Sequence, residues 1–217
     1  MHHRIITLLL LVGLLLGGSV LLSGAGSYRL PGNQQGYSPD QPIAFSHRLH
    51  AGELQINCKF CHSNAEVSRH SGIPAADVCM RCHKQLTAPR GEQQAEDTLA
   101  DTEKRPAKRI VSPELRKLYN SLGLGEDLKP DPNKQPHSIA WVRIHNLPDY
   151  VYFDHRAHIG AGVKCQHCHG AVESMERMRQ ESTLGMGWCV DCHRDTKANG
   201  VHGKQVNPSL DCGTCHY

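Results

Sequence analysis

The chain has 217 residues, a net charge of +3 with its histidines neutral, and few aromatic residues: three Phe, six Tyr and two Trp. So mild a charge argues against a nucleic-acid-binding protein. The length would allow one or two domains. However, much of the aliphatic content lies before residue 23, which leaves the rest too poor in Leu, Ile, Val and Phe for a large conventional core.

The N-terminal stretch Ile5–Leu22 is apolar and uncharged, and Arg4 precedes it. A transmembrane helix needs about 17–25 apolar residues, whereas the apolar region of a secretory signal has about 7–15. We therefore predict an N-terminal transmembrane anchor over residues 1–26, although residues 23–25 could serve as a cleavage site. Arg4 on the short side of the segment places residues 27–217 on the periplasmic, outer side of a bacterial cytoplasmic membrane.

All ten cysteines fall into five Cys-x-x-Cys-His motifs. This spacing is the attachment site of c-type haem, in which two thiols bond the vinyl groups and the next His binds the iron. A disulfide scaffold or a zinc ribbon needs no His after each second cysteine. Numbered 1 to 5 in chain order, the motifs attach haem through Cys58 and Cys61, Cys79 and Cys82, Cys165 and Cys168, Cys189 and Cys192, and Cys212 and Cys215, with His62, His83, His169, His193 and His216 as the proximal iron ligands.

Five covalently bound c-type haems would supply the apolar core that the side chains lack. We therefore predict a mainly α-helical and irregular multihaem cytochrome c fold. In this fold, short helices and loops wrap around the haems, with little or no sheet, and one transmembrane helix precedes them. The chain without haem should be largely unfolded, because ligand binding then supplies the folding energy.

An internal repeat organises the region after the anchor. The segment Phe45-Ser46-His47-Arg48-Leu49-His50 matches Phe153-Asp154-His155-Arg156-Ala157-His158, which lies 108 residues further on, and two motifs follow each copy. A shared period indicates a duplicated structural unit. We predict a first dihaem module over residues 43–86, a second over 141–196, and a C-terminal haem segment over 197–217.

The segment between the modules, residues 87–140, is rich in proline and charged residues and is predicted to be a connector and surface insertion. Ser112 followed by Pro113 is typical of a helix start, with Ser as the N-cap and Pro at the first position. We predict a helix from Pro113 to Leu122 that ends near Gly123.

Low-spin electron-transfer haems need a second axial ligand, which is His or Met. The repeated His47 and His50, and His155 and His158, are the best candidates, because two His three residues apart share one face of a helical turn and can point to two haems. The fifth such ligand is predicted to be His145, in an apolar segment that enters the second module. Met186 is the alternative, and Met178, His137, His202 and His70 are weaker candidates.

The Phe-x-His-x-x-His segments followed by Cys-x-x-Cys-His resemble the class III multihaem cytochromes. The phrases RIHNLPDYVYFDHRAH and LGMGWCVDCHR and the ending CGTCHY resemble, over about residues 40–217, the pentahaem cytochrome c subunit of alternative complex III. The resemblance implies an electron-transfer subunit, not an enzyme by itself, of a menaquinol:acceptor oxidoreductase. It would receive electrons from an iron–sulfur subunit, beside integral quinol-binding subunits, and pass them to a cytochrome c, a terminal oxidase or a photosynthetic acceptor.

Two other classes of protein compete with this interpretation. A stand-alone, membrane-anchored quinol dehydrogenase of the NapC/NrfH type also has one anchor and four or five haems, but it lacks the duplicated Phe-x-His-x-x-His segment. A multihaem enzyme such as a nitrite reductase needs an iron with an open position. No motif here carries Lys in place of its proximal His, and the remaining histidines suffice for every second ligand, which argues against catalysis.

Overall fold

The computed structural model of the chain describes residues 2–24 and 34–217. Within these ranges the fold is helical and irregular, with no strand and three isolated β-bridges, as the sequence predicts. The α-helices are α1 His2–Gly24, α2 Cys58–Cys61, α3 Ala76–His83, α4 Arg90–Glu103, α5 Pro113–Ser121, α6 His155–Gly160, α7 Cys165–His169, α8 Met186–Asn199 and α9 Cys212–Cys215, joined by a π-helical turn Arg48–Glu53 and 3₁₀ turns Ser63–Glu66 and Val172–Ser174.

Helix α1 occupies most of the predicted anchor segment, and the large apolar side chains from Ile5 to Leu16, such as those of Leu8 and Leu14, are exposed. Among the described residues, no helix reaches the length and apolarity that crossing a membrane requires. Ala25, the last residue of the possible cleavage site, lies outside the described residues. The anchor therefore stays a prediction.

Every haem-attachment motif lies on a helical turn. Two cysteines three residues apart share one face of such a turn, so both thiols can reach the same ligand. Asn57 begins the turn of motif 1, where its side chain accepts a hydrogen bond from the Lys59 backbone N–H at 2.9 Å. Motif 4 lies on the longer α8, which continues to Asn199 and crosses the predicted module boundary at residue 196.

The two modules pack against each other reciprocally. The π-helical turn Arg48–Glu53 of the first module packs against the 3₁₀ turn Val172–Ser174, which follows motif 3. Helix α6 of the second module packs against the 3₁₀ turn Ser63–Glu66, which follows motif 1. Each duplicated histidine segment thus packs against the turn that follows the first motif of the other module, and motifs 1 and 3 lie at the centre of this interface.

Backbone contacts hold this interface closed. The Arg48 N–H donates a hydrogen bond to the Met175 carbonyl at 2.9 Å, and the His155 N–H donates one to the Arg69 carbonyl at 3.2 Å. At Gly52 an added Cβ would lie 2.3 Å from the Glu173 carbonyl oxygen. Because no side chain fits there, glycine at this position allows the two modules to approach closely.

The segment 87–140, predicted to be a connector and surface insertion, also contributes buried residues. It contributes the buried cluster Val111, Leu118 and Tyr119, against which Cys79 of motif 2 packs. The Tyr119 hydroxyl also donates a 2.6 Å hydrogen bond to the His83 carbonyl. The segment therefore supports one side of motif 2.

Helix α5 carries this buried cluster and confirms the predicted helix, ending at Ser121, one residue before the expected Leu122. Its first turn is capped as the sequence indicates, since the Ser112 side chain accepts a hydrogen bond from the Leu115 N–H. Leu118 and Tyr119 lie on the buried face of the helix, towards α3. The helix therefore orients the apolar face on which motif 2 rests.

Replacing Leu118 with alanine is expected to destabilise the protein, because its side chain is only 3% exposed within the Val111–Tyr119 cluster. Truncating a buried leucine costs about 2–5 kcal/mol. Denaturant unfolding of the haem-loaded protein, followed by circular dichroism, measures the loss. The matched control is Leu99→Ala on α4, where the leucine is 48% exposed and the expected change is within about 0.5 kcal/mol. Equal stabilities of the two variants would contradict the packing role of Leu118.

Candidate haem-binding site

Three proximal histidines present the same ring nitrogen to a backbone carbonyl. Their Nδ1 atoms lie 2.7–2.8 Å from carbonyl oxygens: His62 with Gly72, His83 with Leu86, and His193 with Ser209. A carbonyl oxygen can only accept a hydrogen bond, so each Nδ1 carries the proton. The Nε2 atom therefore keeps the lone pair that a metal would bind, which is the arrangement of a metal-ligating histidine.

The repeated histidines show the same arrangement. The Nδ1 atoms of His50 and His158 each lie 2.8 Å from the carbonyl oxygen four residues earlier, and that of His155 lies 2.7 Å from the Arg69 carbonyl. A phenylalanine ring stacks on the second histidine of each copy, with Phe45 4.3 Å from His50 and Phe153 4.5 Å from His158. The duplication therefore extends from sequence to side-chain geometry.

Each of three proximal histidines lies opposite a different repeated histidine, and the three ring distances are similar. Metal–imidazole bonds of about 2 Å on both sides of one iron, with each ring centroid about 1 Å further out, require centroids about 6 Å apart. The centroid distances are 6.1 Å for His50 and His83, 6.4 Å for His155 and His169, and 6.0 Å for His158 and His193. These residues fit two axial ligands on one iron in motifs 2, 3 and 4.

His47 is the repeat equivalent of His155, and its charge neighbours are His62 and His50. Its buried Nδ1 has no hydrogen-bond partner among the described residues. Burial, with those two neighbouring imidazoles, lowers the pKa of His47 to about 4. A neutral imidazole beside the proximal His62 is the form that binds a metal, so His47 fits the second ligand of motif 1.

Motif 3 lies in the densest histidine cluster of the described chain. Burial, followed by the neighbouring imidazoles of His145, His155, His62 and His47, lowers the pKa of His169 to about 3. Since histidines from both modules meet here, the proximal ligands of motifs 1 and 3 lie close together. The cluster thus coincides with the centre of the interface between the modules.

His145 lies in a different place from the one expected of a fifth axial ligand. Its Nε2 is 3.0 Å from Nδ1 of His169, and the two rings meet edge to face with centroids 4.5 Å apart. The nitrogen that would bind iron therefore faces another histidine. No contact among the described residues supports the prediction that His145 binds the iron of a fifth haem.

Among the described residues, no imidazole ring is paired with His216 of motif 5. The ring beside His216 belongs to Tyr150, with a centroid distance of 5.9 Å. Met186 is the first residue of α8 and is 71% exposed, so its role as the alternative ligand stays a prediction. The weaker candidates do not pair with a proximal histidine either. Met178 is half-buried, and His70, His137 and His202 are exposed.

The thiols show which motifs are neighbours in space. Cys58 and Cys165, which are equivalent in the repeat, are neighbours that line the same cleft of about 340 Å³. The other neighbours are Cys61 with Cys82 (motifs 1 and 2), Cys168 with Cys192 (motifs 3 and 4), and Cys189 with Cys215 (motifs 4 and 5). The motifs therefore follow one another in space in the order 2, 1, 3, 4, 5.

Comparisons with known proteins agree with this arrangement. Residues 26–109 match the class III cytochrome C family, and residues 151–217 match cytochrome c7 and related cytochrome c. A relative in Nitratidesulfovibrio vulgaris (strain Hildenborough) is the menaquinone reductase, multihaem cytochrome c subunit. It is 25% identical over 197 residues, which cover 82% of this chain and 77% of the relative. The chain is accordingly similar to multihaem cytochromes c of the class III type, families that imply covalently bound c-type haem.

Proposed function

We propose that this chain is a pentahaem electron-transfer subunit of a menaquinol-oxidising membrane complex of the alternative complex III type. The observation that carries the proposal is the pairing of histidines in motifs 2, 3 and 4, with ring centroids 6.0–6.4 Å apart. Haem iron supplies a one-electron redox change, and two protein ligands on one iron leave no position for a substrate. Paired imidazoles therefore favour electron transfer over catalysis by the chain itself.

The order of the motifs supports a relay with two ends. Motif 2 lies at one end, where α3 packs on the Leu118–Tyr119 cluster, and motif 5 lies at the other, near the C-terminus. Motifs 1 and 3 meet where the modules join, with Cys58 and Cys165 on one cleft. A donor and an acceptor can therefore dock at different ends of the order. We propose an iron–sulfur subunit as the donor and a cytochrome c or terminal oxidase as the acceptor.

The position of the chain in the cell is part of the proposal. Helix α1 presents exposed leucines along its length, and Arg4 is near its start. An apolar helix with a positive residue on its short side is typical of a single anchor with the following domain outside the cytoplasm. We therefore propose a single-pass anchor in a bacterial cytoplasmic membrane, with the haem domain on its periplasmic side.

A second candidate function follows from the name of the relative, a menaquinone reductase subunit. In that case the haem domain would carry electrons towards menaquinone instead of away from menaquinol. The paired histidines and the order of the motifs fit either direction of flow, because neither has a polarity of its own. The two candidates differ in their partners at the two ends of the relay.

The proposal is tested by isolating the tagged full-length chain from its native membrane together with its partners. We expect an iron–sulfur protein and integral membrane subunits to co-purify. Adding a menaquinol analogue to the complex should reduce the haems, as seen in the visible spectrum, whereas the chain separated from its partners should stay oxidised.

Each other outcome identifies a different function. Reduction of the separated chain by the quinol at the rate of the complex would indicate a stand-alone quinol dehydrogenase. A complex that menaquinol cannot reduce, but that transfers electrons from its reduced haems to menaquinone, would support the second candidate. A haem content well below five per chain in an alkaline haemochrome assay would contradict both.

A further inference from the structure

The hydrogen bond of the proximal histidine at motif 3 differs from those at motifs 1, 2 and 4. His62, the repeat equivalent of His169, donates to a backbone carbonyl, as do the proximal histidines of motifs 2 and 4. His169 instead has Nδ1 only 3.0 Å from Nε2 of His145. The duplicated modules therefore diverge at the atom that determines how strongly the proximal imidazole donates to its metal.

We propose that His145 is a positioning residue for the haem of motif 3, whose side chain accepts the Nδ1–H of His169 and lowers the reduction potential of that haem. The inference rests on the proposed function only in assuming that His169 binds haem iron. If His169 binds through Nε2, its proton is on Nδ1, so Nε2 of His145 must be the acceptor.

The direction of the effect follows from the acceptor. An imidazole nitrogen is a stronger base than a peptide carbonyl oxygen, so it draws the proton of His169 further away. The proximal ring then becomes a better electron donor, which stabilises the oxidised iron. Among the motifs with a resolved Nδ1 partner, the haem of motif 3 should therefore be the one whose proximal ligand donates most strongly.

The backbone beside His145 is held in place by a buried network. The Asn146 N–H donates a 2.9 Å hydrogen bond to Oε1 of Gln180, whose side chain is fully buried. Nε2 of Gln180 donates to the Ser182 carbonyl at 2.9 Å, and Oγ of Ser182 donates to the Cys168 carbonyl at 2.8 Å. The segment that presents His145 is thus connected to motif 3 itself, which fixes the orientation of the imidazole.

The test compares His145→Leu, which removes the acceptor, with His145→Asn, which offers an amide oxygen in place of the ring nitrogen. Redox titration of the purified full-length haem protein gives the haem potentials, and electron paramagnetic resonance gives the spin states. In the leucine variant we expect one haem to become easier to reduce by about tenfold, or about 59 mV for one electron. No haem that is low-spin in the wild type should become high-spin, and the potential in the asparagine variant should fall between those of the leucine variant and the wild type.

The controls separate this role from packing. Gln94→Leu, on the exposed face of α4, should leave every potential unchanged. If the His145→Leu protein does not load haem fully, the His145→Asn protein provides the test. The reduction potential of one of its haems must also be higher than in the wild type. Unchanged potentials in a loaded variant would overturn the proposal. So would a new high-spin signal, which would make His145 an axial ligand. Neither readout needs a quinol or a partner, so failure of the proposed function would be seen separately.

Discussion

Replacing both cysteines of motif 3 with serine, as Cys165→Ser with Cys168→Ser, is expected to remove most of the folded, haem-containing protein. These thiols lie where the modules meet, with Cys165 against Cys58. The largest cluster of buried apolar residues in the described structure has three members and lies at motif 2, so the centre depends on haem for its apolar volume. Since proteins are stable by only about 5–15 kcal/mol, losing the central haem should lower the yield more than about tenfold.

The matched control for this change is the same double substitution in motif 5, Cys212→Ser with Cys215→Ser. Motif 5 lies at one end of the spatial order and beside the exposed ring of Tyr150. This variant should lose one haem and keep the remainder. Haem-stained gels, a haemochrome assay per chain and circular dichroism measure the two outcomes. A motif 3 variant that accumulates normally with four haems and a native spectrum would show that the centre does not depend on haem.

Replacing His50 with alanine is expected to convert one haem, that of motif 2, from low-spin to high-spin. The His50 ring is 6.1 Å from that of His83, with its Nδ1 hydrogen-bonded to the Ser46 carbonyl, so Nε2 would be available to bind the same iron as His83. Loss of one of two axial ligands opens a coordination position. Electron paramagnetic resonance and the visible spectrum of the purified protein measure the change, and added imidazole should restore the low-spin form.

Two further variants accompany this experiment. His158→Ala removes the equivalent histidine of the second module and should give the same signal at motif 4, whose His193 lies 6.0 Å away. Leu49→Ala changes an exposed neighbour on the same turn as His50 and should leave all haems low-spin. The assignment of the repeated histidines is wrong if His50→Ala leaves every haem low-spin in fully loaded protein.

The sequence predicted the chemistry of the site more completely than its geometry. A Cys-x-x-Cys-His motif can be recognised from five residues, because the two thiols and the proximal histidine share one helical turn. The Phe-x-His-x-x-His repeat is equally local, and the stacking of Phe45 on His50 recurs for Phe153 and His158. Such features are independent of how the rest of the chain folds, so they can be recognised without a structure.

What the sequence did not indicate are contacts between distant residues. Residues 87–140 read as a polar connector because their composition is charged, yet Leu118 and Tyr119 form a buried face against motif 2. His145 is predicted to be an iron ligand because its neighbours in sequence are apolar. Apolar neighbours indicate burial, but they do not indicate which group the side chain faces. The contact with His169 spans 24 residues of chain, and no local periodicity indicates it.

The sequence by itself determined the kind of cofactor, the number of attachment motifs and the duplication of the dihaem unit. Covalent attachment and the repeat each depend on a few residues that are close together in the chain. Only the tertiary structure decided which histidine faces which motif, that each histidine segment packs against a turn of the other module, and that the motifs follow the order 2, 1, 3, 4, 5 in space. The reason is that these relations depend on packing between segments about 110 residues apart, such as Cys58 against Cys165, and packing is a property of the folded chain.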